Sequence, residues 1–300
     1  MRKPDQTVCH RGIEIAIYQW GTQTHPNDDR EVIVLAHGFP DRAVFWDKVA
    51  TELSNRYRVV AFDMRGCGNS SPVTGTRAYR FDELLEDLFA VIDTVSPGQR
   101  VHLVGHDWGG IYGWDAISTT QGQQRIASFS TLSPSLDHVA QFFRQRIFRP
   151  TPVHLYQLLR QCVRNSLMVF FALPVLPALF FASGAGTMVF KWLMQALEPT
   201  AGFQAYPGLK QDAIRFLGIY RANLFGRMLM PRQLHTSVPV MAIQAEHDPF
   251  LPPLLFEHSS KSANIYSATP MDASHWAPLS RSKPLAHLIG AHIEFVNKGR

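Results

Sequence analysis

Charge runs, an apolar stretch in the first residues and a metal motif are what this 300-residue sequence has little of. Residues Met1 to Thr7 hold no apolar stretch of the length a signal peptide needs, so secretion by that route is not expected and a cytoplasmic location is. The net charge of +5 favours anionic surfaces, but no Lys/Arg run and no interleaving of basic and aromatic residues marks a nucleic-acid track. A scattered, solvated basic surface with no nucleic-acid partner is the expectation. Cysteine is scarce: Cys9, Cys67 and Cys162 are odd in number, far apart and without a CxxC, and are expected to be ordinary buried or half-buried thiols. Among thirteen histidines, no pair at His-X-X-X-His spacing brings a carboxylate base with it, so neither a metal nor a cofactor is expected. The glycine-rich stretch Asp63 to Ser70 lacks the lysine of a phosphate-binding loop and reads as a tight structural turn.

What is present is concentrated in a few short segments. Gly105-His106-Asp107-Trp108-Gly109-Gly110 follows the apolar run Val101-His102-Leu103-Val104 and precedes a helix-like segment. That small-X-nucleophile-X-small spacing is a nucleophile elbow, in which glycines let the backbone pass close to its neighbours and one side chain stands at the sheet's carboxyl edge. Here the side chain is a carboxylate. A serine attacking an sp3 carbon would leave an ether that is hard to hydrolyse, whereas an aspartate leaves an ester that water can cleave. Asp107 therefore points to displacement at carbon bonded to oxygen or halogen.

Such a nucleophile needs a base to activate water and a group to orient the base. The run Val238 to Gln244 reads as a buried strand and ends in Ala245-Glu246-His247-Asp248-Pro249-Phe250, which puts Asp248 on a loop at a strand's carboxyl end. Asp272-Ala273-Ser274-His275-Trp276-Ala277-Pro278 puts His275 on a loop before a final amphipathic helix. Asp137, after the strand ending at Leu132, competes with Asp248 but has the poorer context. Upstream, Val32 to Ala36 leads into His37-Gly38-Phe39-Pro40-Asp41, whose Phe39 amide, with that of Trp108, would form a two-donor oxyanion hole. The order nucleophile, acid, histidine is that of α/β-hydrolases.

Length and a 46% hydrophobic content suit one α/β domain with an insertion. Strands are expected at Val32–Ala36, Val59–Asp63, Val101–Val104, Ser128–Leu132, Val240–Gln244 and Asn264–Ser267, with an amphipathic helix over Arg80–Val95. This alternation implies a mostly parallel sheet covered on both faces by helices. Between Leu132 and Val238 the alternation stops and aromatic-rich helical sequence takes over. A helical cap over 135–233, inserted after the sixth strand into a core of 1–134 and 234–300, is expected. Within it Asn165 to Phe190 is uncharged, but Pro174, Pro177, Gly184 and Gly186 interrupt it, so a buried or lipid-facing cap fits better than a membrane span.

Together, residues 37–41, 63–70, 105–110, 245–250 and 274–278 resemble the α/β-hydrolase-fold epoxide hydrolases, with haloalkane dehalogenases as near cousins. The resemblance covers nearly the whole chain. It implies a two-step reaction: Asp107 opens the ring to give an alkyl-enzyme ester, and water activated by His275, held by Asp248, hydrolyses it. It implies two cap tyrosines as proton donors to the epoxide oxygen. Tyr220, before Arg221, fits the second. The first position corresponds to Leu167, which cannot donate. Either Tyr156 substitutes, or one tyrosine suffices at reduced rate, or the leaving group is not an epoxide. Phe39, Trp108, Leu167, Phe171 and Trp276 are expected to line a pocket for a small hydrophobic substrate, the cap phenylalanines suggesting an aliphatic or lipid-like one. A dehalogenase would use Trp108 and a lid donor such as Trp192, and a non-catalytic binder on the same scaffold is the remaining alternative. Peripheral lipid contact through the cap and a monomeric or homodimeric state complete the expectations.

Overall fold

A computed structural model describes residues 2–21, 29–203 and 205–299. Eight strands form one sheet in the order β1-β2-β4-β3-β5-β6-β7-β8. They are β1 (Gln6–His10), β2 (Ile13–Trp20), β3 (Val32–Ala36), β4 (Arg58–Phe62), β5 (Val101–Gly105), β6 (Ile126–Thr131), β7 (Val240–Ala245) and β8 (Tyr266–Met271). β1 and β2 pair antiparallel, β2 joins β4 antiparallel, and every pairing from β4 to β8 is parallel. The amino-terminal hairpin was not anticipated. Its strand β1 is mostly exposed, so it lacks the apolar run that marks the buried strands. The last strand begins two residues later than expected and runs on through Pro270: it is an edge strand with one partner, where a missing N–H and exposed side chains cost little.

The strand interior shows the period of two that buries both faces. In β3, Val32, Val34 and Ala36 join the core beneath one helical layer, and Ile33 and Leu35 join the core beneath the other. On the first side lie α2 (Phe81–Val95) and α3 (Trp108–Ser118); on the second, α1 (Asp47–Leu53) and α11 (Ser282–Lys298), which pack on each other. The short α4 (Thr120–Arg125) precedes β6, and α10 (Ala277–Ser280) precedes α11. Between β6 and β7 come five consecutive helices, α5 (Leu136–Phe148), α6 (Pro152–Ala172), α7 (Leu176–Ala182), α8 (Ala185–Leu197) and α9 (Leu209–Leu229). Ser135 caps α5 by accepting the His138 amide, and Thr151 caps α6 ahead of Pro152. Proline and glycine punctuate the uncharged stretch as its sequence suggests: α6 and α7 meet at 83°, so the run is bent into packed helices.

The topology opens the site. The chain leaves β3 for β4 on one side and returns past β3 to β5 on the other, so the loops after β3 and β5 diverge and leave a crevice at their carboxyl ends. Phe39 lies on the first of these loops and Asp107 on the second. Between them and the helices, Asp63 closes the glycine-rich turn by accepting the amides of Ala43 and Asn69, each at 2.8 Å, and the Tyr18 hydroxyl at 2.9 Å. The turn is structural, as its missing lysine implies. Cys67 is buried in it, whereas Cys9 and Cys162 are exposed, more so than expected.

Candidate active site

Asp107 is one of two non-glycine residues with positive φ among the described residues, at φ 49°, ψ −123°. Backbone strain of this kind persists only where the surroundings over-determine it. Here glycines supply the room. A Cβ on Gly38 would collide with the Asp107 side chain, and one on Gly109 with the Ala36 carbonyl, so the β3 loop and the start of α3 are drawn against the elbow. The result is a carboxylate whose Oδ2 accepts the Phe39 amide at 2.7 Å and which also accepts the Trp108 amide. Both donors expected of an oxyanion hole therefore face the acid itself. The Phe39–Pro40 peptide is cis.

The base and its partner assemble beside it. His275 Nδ1 donates to Asp248 Oδ2 at 2.8 Å, and Asp248 Oδ1 accepts the amides of Phe250 and Leu251 at 2.7 and 2.8 Å. Burial opposes charge on Asp248, but the His275 charge and these hydrogen bonds prevail and hold it below the usual carboxylate range. Asp137 is engaged elsewhere, by Arg227 at 2.9 Å and the Arg232 amide at 2.6 Å. His275 itself is pushed up to about 9: burial pulls it down, and the carboxylates of Asp248, Asp107 and Asp41 pull harder. The carbonyl of His275 accepts from His106 Nε2 at 2.9 Å, and burial, with the His275 charge, brings His106 down to about 3, so it is a neutral strut.

For Asp107 the sequence suggests amide donors favouring the anion. They do pull that way, with His275, yet burial outweighs them and the carboxyl sits above its ordinary value. Its neighbour Asp41 is pushed up to about 8, by burial first and then by the Asp107 charge. In the sequence Asp41 stands only as the last residue of the His37-Gly38-Phe39-Pro40-Asp41 motif, with no part of its own. The missed signal was an acid two residues beyond an oxyanion-hole amide, in a loop bound to be buried. Glu198, at the end of α8, was missed as well: its carboxylate accepts the Trp276 amide at 3.0 Å and ties the inserted helices to the histidine loop.

An apolar cavity of about 170 Å³ joins these groups. Asp107, His275 and Tyr220 reach it, and Phe39, Leu167, Phe171 and Trp276 line it as expected, with Phe181 and Phe190. Tyr220 is buried, and its hydroxyl is raised far above the ordinary phenol value, by burial first and by the Asp107 charge next, so it is a protonated donor at neutral pH. Two expected residues are elsewhere. Tyr156 lies in the first half of α6, 62% exposed beside the solvent-facing Leu155, Leu159 and Val163, whereas Leu167, further along the same stripe, is half-buried and reaches the cavity. Trp192 is 65% exposed on α8. Trp108 contributes its amide but not a wall: its indole is fully buried behind Tyr220, ring centroids 4.8 Å apart.

Comparison with known proteins identifies the fold family. The probable oxidoreductase EphD of Mycobacterium tuberculosis is 31% identical over 284 residues, covering 93% of this chain and 47% of that protein. The chain thus spans about half the length of that relative. Epoxide hydrolase 3 of Xenopus tropicalis is 28% identical over 272 residues, 86% of this chain and 70% of that one. Among solved structures, an epoxide hydrolase of Bacillus megaterium bound to an inhibitor superimposes with a TM-score of 0.73 at 18% identity, covering 96% of this chain and all of that one, a likeness of fold. The family profile of the alpha/beta hydrolase fold matches residues 31–280, and with the sheet order and elbow described above it shows that the chain belongs to the α/β-hydrolase fold family.

Proposed function

We propose that this hydrolase opens a hydrophobic epoxide to a vicinal diol through an ester on Asp107, with α5–α9 (135–233) acting as a cap over the site. One observation carries the reading. A strained carboxylate, a histidine held from behind by Asp248 and a buried phenol meet in a single apolar cavity, the set that ring opening followed by ester hydrolysis requires. In the first step an Asp107 oxygen attacks an epoxide carbon, the carbon–oxygen bond breaks, and the departing oxygen takes the Tyr220 proton. Attack removes the Asp107 charge, which is among the causes raising both Tyr220 and His275. Both groups therefore become stronger acids as the ester forms: Tyr220 when its proton is needed, and His275 so that it sheds its proton to solvent and turns into a base.

In the second step His275 takes a proton from water, which attacks the ester carbonyl. The oxyanion lies where the Phe39 and Trp108 amides already point. On collapse the departing alkoxide takes the proton held by His275, and the carboxyl proton left from the water returns to the Tyr220 phenolate, so the diol leaves and the carboxylate and phenol are restored. Haloalkane dehalogenation uses the same triad, but its expected lid donor, Trp192, faces outward, which weighs against it. A ligand binder without turnover would have no use for a histidine raised towards 9 beside a strained acid.

Intact-protein mass spectrometry of a His275→Gln variant tests the reading. Incubated with an aliphatic epoxide, it is expected to accumulate an adduct with the mass of the whole epoxide. An adduct only with a haloalkane, shifted by the alkyl group without halogen, would assign dehalogenation instead.

A further inference from the structure

We propose that the outer face of the inserted helices docks on an anionic phospholipid bilayer. The residues 135–233 hold eleven of the chain's 29 Lys and Arg but three of its 24 Asp and Glu. All three acids are buried: Asp137 with Arg227, Asp212 with Arg42, and Glu198 on the Trp276 amide. The exposed charges there, among the described residues, are Arg144, Arg149, Arg160, Lys191, Lys210, Arg215 and Arg232, all of them positive.

Large apolar side chains stand beside them. On α6, Leu155, Leu159 and Val163 recur every four residues on the solvent side, each more than half exposed, with Arg160 beside Leu159. The turn into α7 exposes Leu173, Pro174, Val175 and Leu176 in succession, and α8 exposes Met188 and Trp192 either side of Lys191. Apolar stripes flanked by cations and a tryptophan are the composition of a helix lying in the headgroup region. Large apolar side chains exposed in such numbers on one inserted segment mark an interaction surface. The uniform positive charge selects anionic lipid over a second copy of the same cationic face.

The inner faces of these helices are the walls of the catalytic cavity. Leu167 and Phe171 come from α6, Phe181 from α7, and Phe190 from α8. Val189 belongs to both surfaces, lining the cavity while 44% exposed. Docked in this way, the helices that wall the cavity lie against the acyl region, the source of an apolar substrate, with Val189 between the two. The docking itself is independent of the chemistry proposed for Asp107.

The test is co-sedimentation of the full chain, without substrate, with phosphatidylcholine vesicles containing or lacking phosphatidylglycerol. Partitioning is expected at least about tenfold stronger with phosphatidylglycerol, at roughly fivefold per engaged cation, and weakened by high salt. The variants Arg160→Glu with Lys191→Glu, and Leu159→Ser with Val163→Ser, are each expected to weaken it about tenfold or more at unchanged melting temperature. Absence of partitioning, equal partitioning into both vesicles, or a dimer in light scattering that the Leu159→Ser, Val163→Ser variant dissolves would overturn the proposal. The two vesicle compositions decide the matter on the unaltered chain even if a variant folds poorly.

Discussion

The sheet-borne half and the inserted helices treat charge in opposite ways. Outside 135–233 the chain has eighteen basic and twenty-one acidic residues, and it buries Asp41, Asp63, Asp107, Asp248, His37, His106 and His275 close to one crevice. The helical half is strongly basic, keeps its few acids inside in fixed ion pairs or on a backbone amide, and contributes mainly hydrocarbon and one phenol to the cavity. The first half thus makes a site whose groups set one another's protonation, and the second supplies most of the apolar wall of its cavity. Changes in the first half should therefore act on chemistry by orders of magnitude, and changes in the second should act on rate and substrate more mildly.

The sharpest way to break this contrast is Asp107→Ala. Loss of the nucleophile is expected to lower kcat about 10⁴-fold or more with the fold retained, measured by diol formation from an aliphatic epoxide and checked by circular dichroism. Retained turnover would remove the covalent step. On the helical side, Tyr220→Phe is expected to reduce adduct formation about 10²-fold, because one positioned proton donor is lost while the carboxylate and histidine remain. Stopped-flow tryptophan fluorescence or rapid-quench mass spectrometry reads that step, and an undiminished rate would move the proton donor elsewhere.

Stability against pH sharpens the comparison from the sheet side. His275 at about 9 is raised above its unfolded value, so its stabilisation is complete below about 6.5 and is lost as pH rises to about 9. Asp41 at about 8 is a raised acid, which makes the folded state progressively less stable from about pH 4 to pH 8. Both signs agree, and Asp107 moves the same way. Melting temperature is expected to fall between pH 6.5 and 9, by an amount corresponding to roughly 3 kcal/mol at most for the histidine. Asp41→Asn should flatten the curve below pH 8, and His275→Gln should flatten it from 7 to 9. A pH-independent melting temperature would contradict the mutual coupling.

This asymmetry also decides what the sequence made legible. The elbow, the acid and the histidine are each fixed by glycines or strand ends a few residues away, so Gly105-His106-Asp107-Trp108-Gly109-Gly110 and the loops bearing Asp248 and His275 can be placed from local pattern. Phe39 and Trp108 follow because their amides, not their side chains, are used. The inserted helices lack such punctuation at their inner faces. Tyr156 and Leu167 differ by eleven residues, close to three whole turns, so periodicity puts them on one face of α6; which turns of that face are covered depends on packing against α7 and α9, which local pattern does not show. Asp41 escaped for another reason: its raised value arises from burial and a charge 66 positions away in sequence.

Leu167 offers the finest adjustment. It lines the cavity on the same helix as Phe171, at the position where the resembling family carries a second phenol. With Tyr220 as the single buried phenol lining this cavity among the described residues, ring opening is expected to be limited by proton donation. Leu167→Tyr adds a hydroxyl at the cavity wall and removes little apolar area. If its hydroxyl reaches the ring oxygen, adduct formation in the His275→Gln background should quicken by about tenfold, a modest share of the usual contribution of a positioned acid. Hydrolysis of the ester, whose proposed base and amide donors are all sheet-borne, should be unchanged in the otherwise unaltered chain. A variant that altered the second step and left the first untouched would dissolve the division of labour between the two halves.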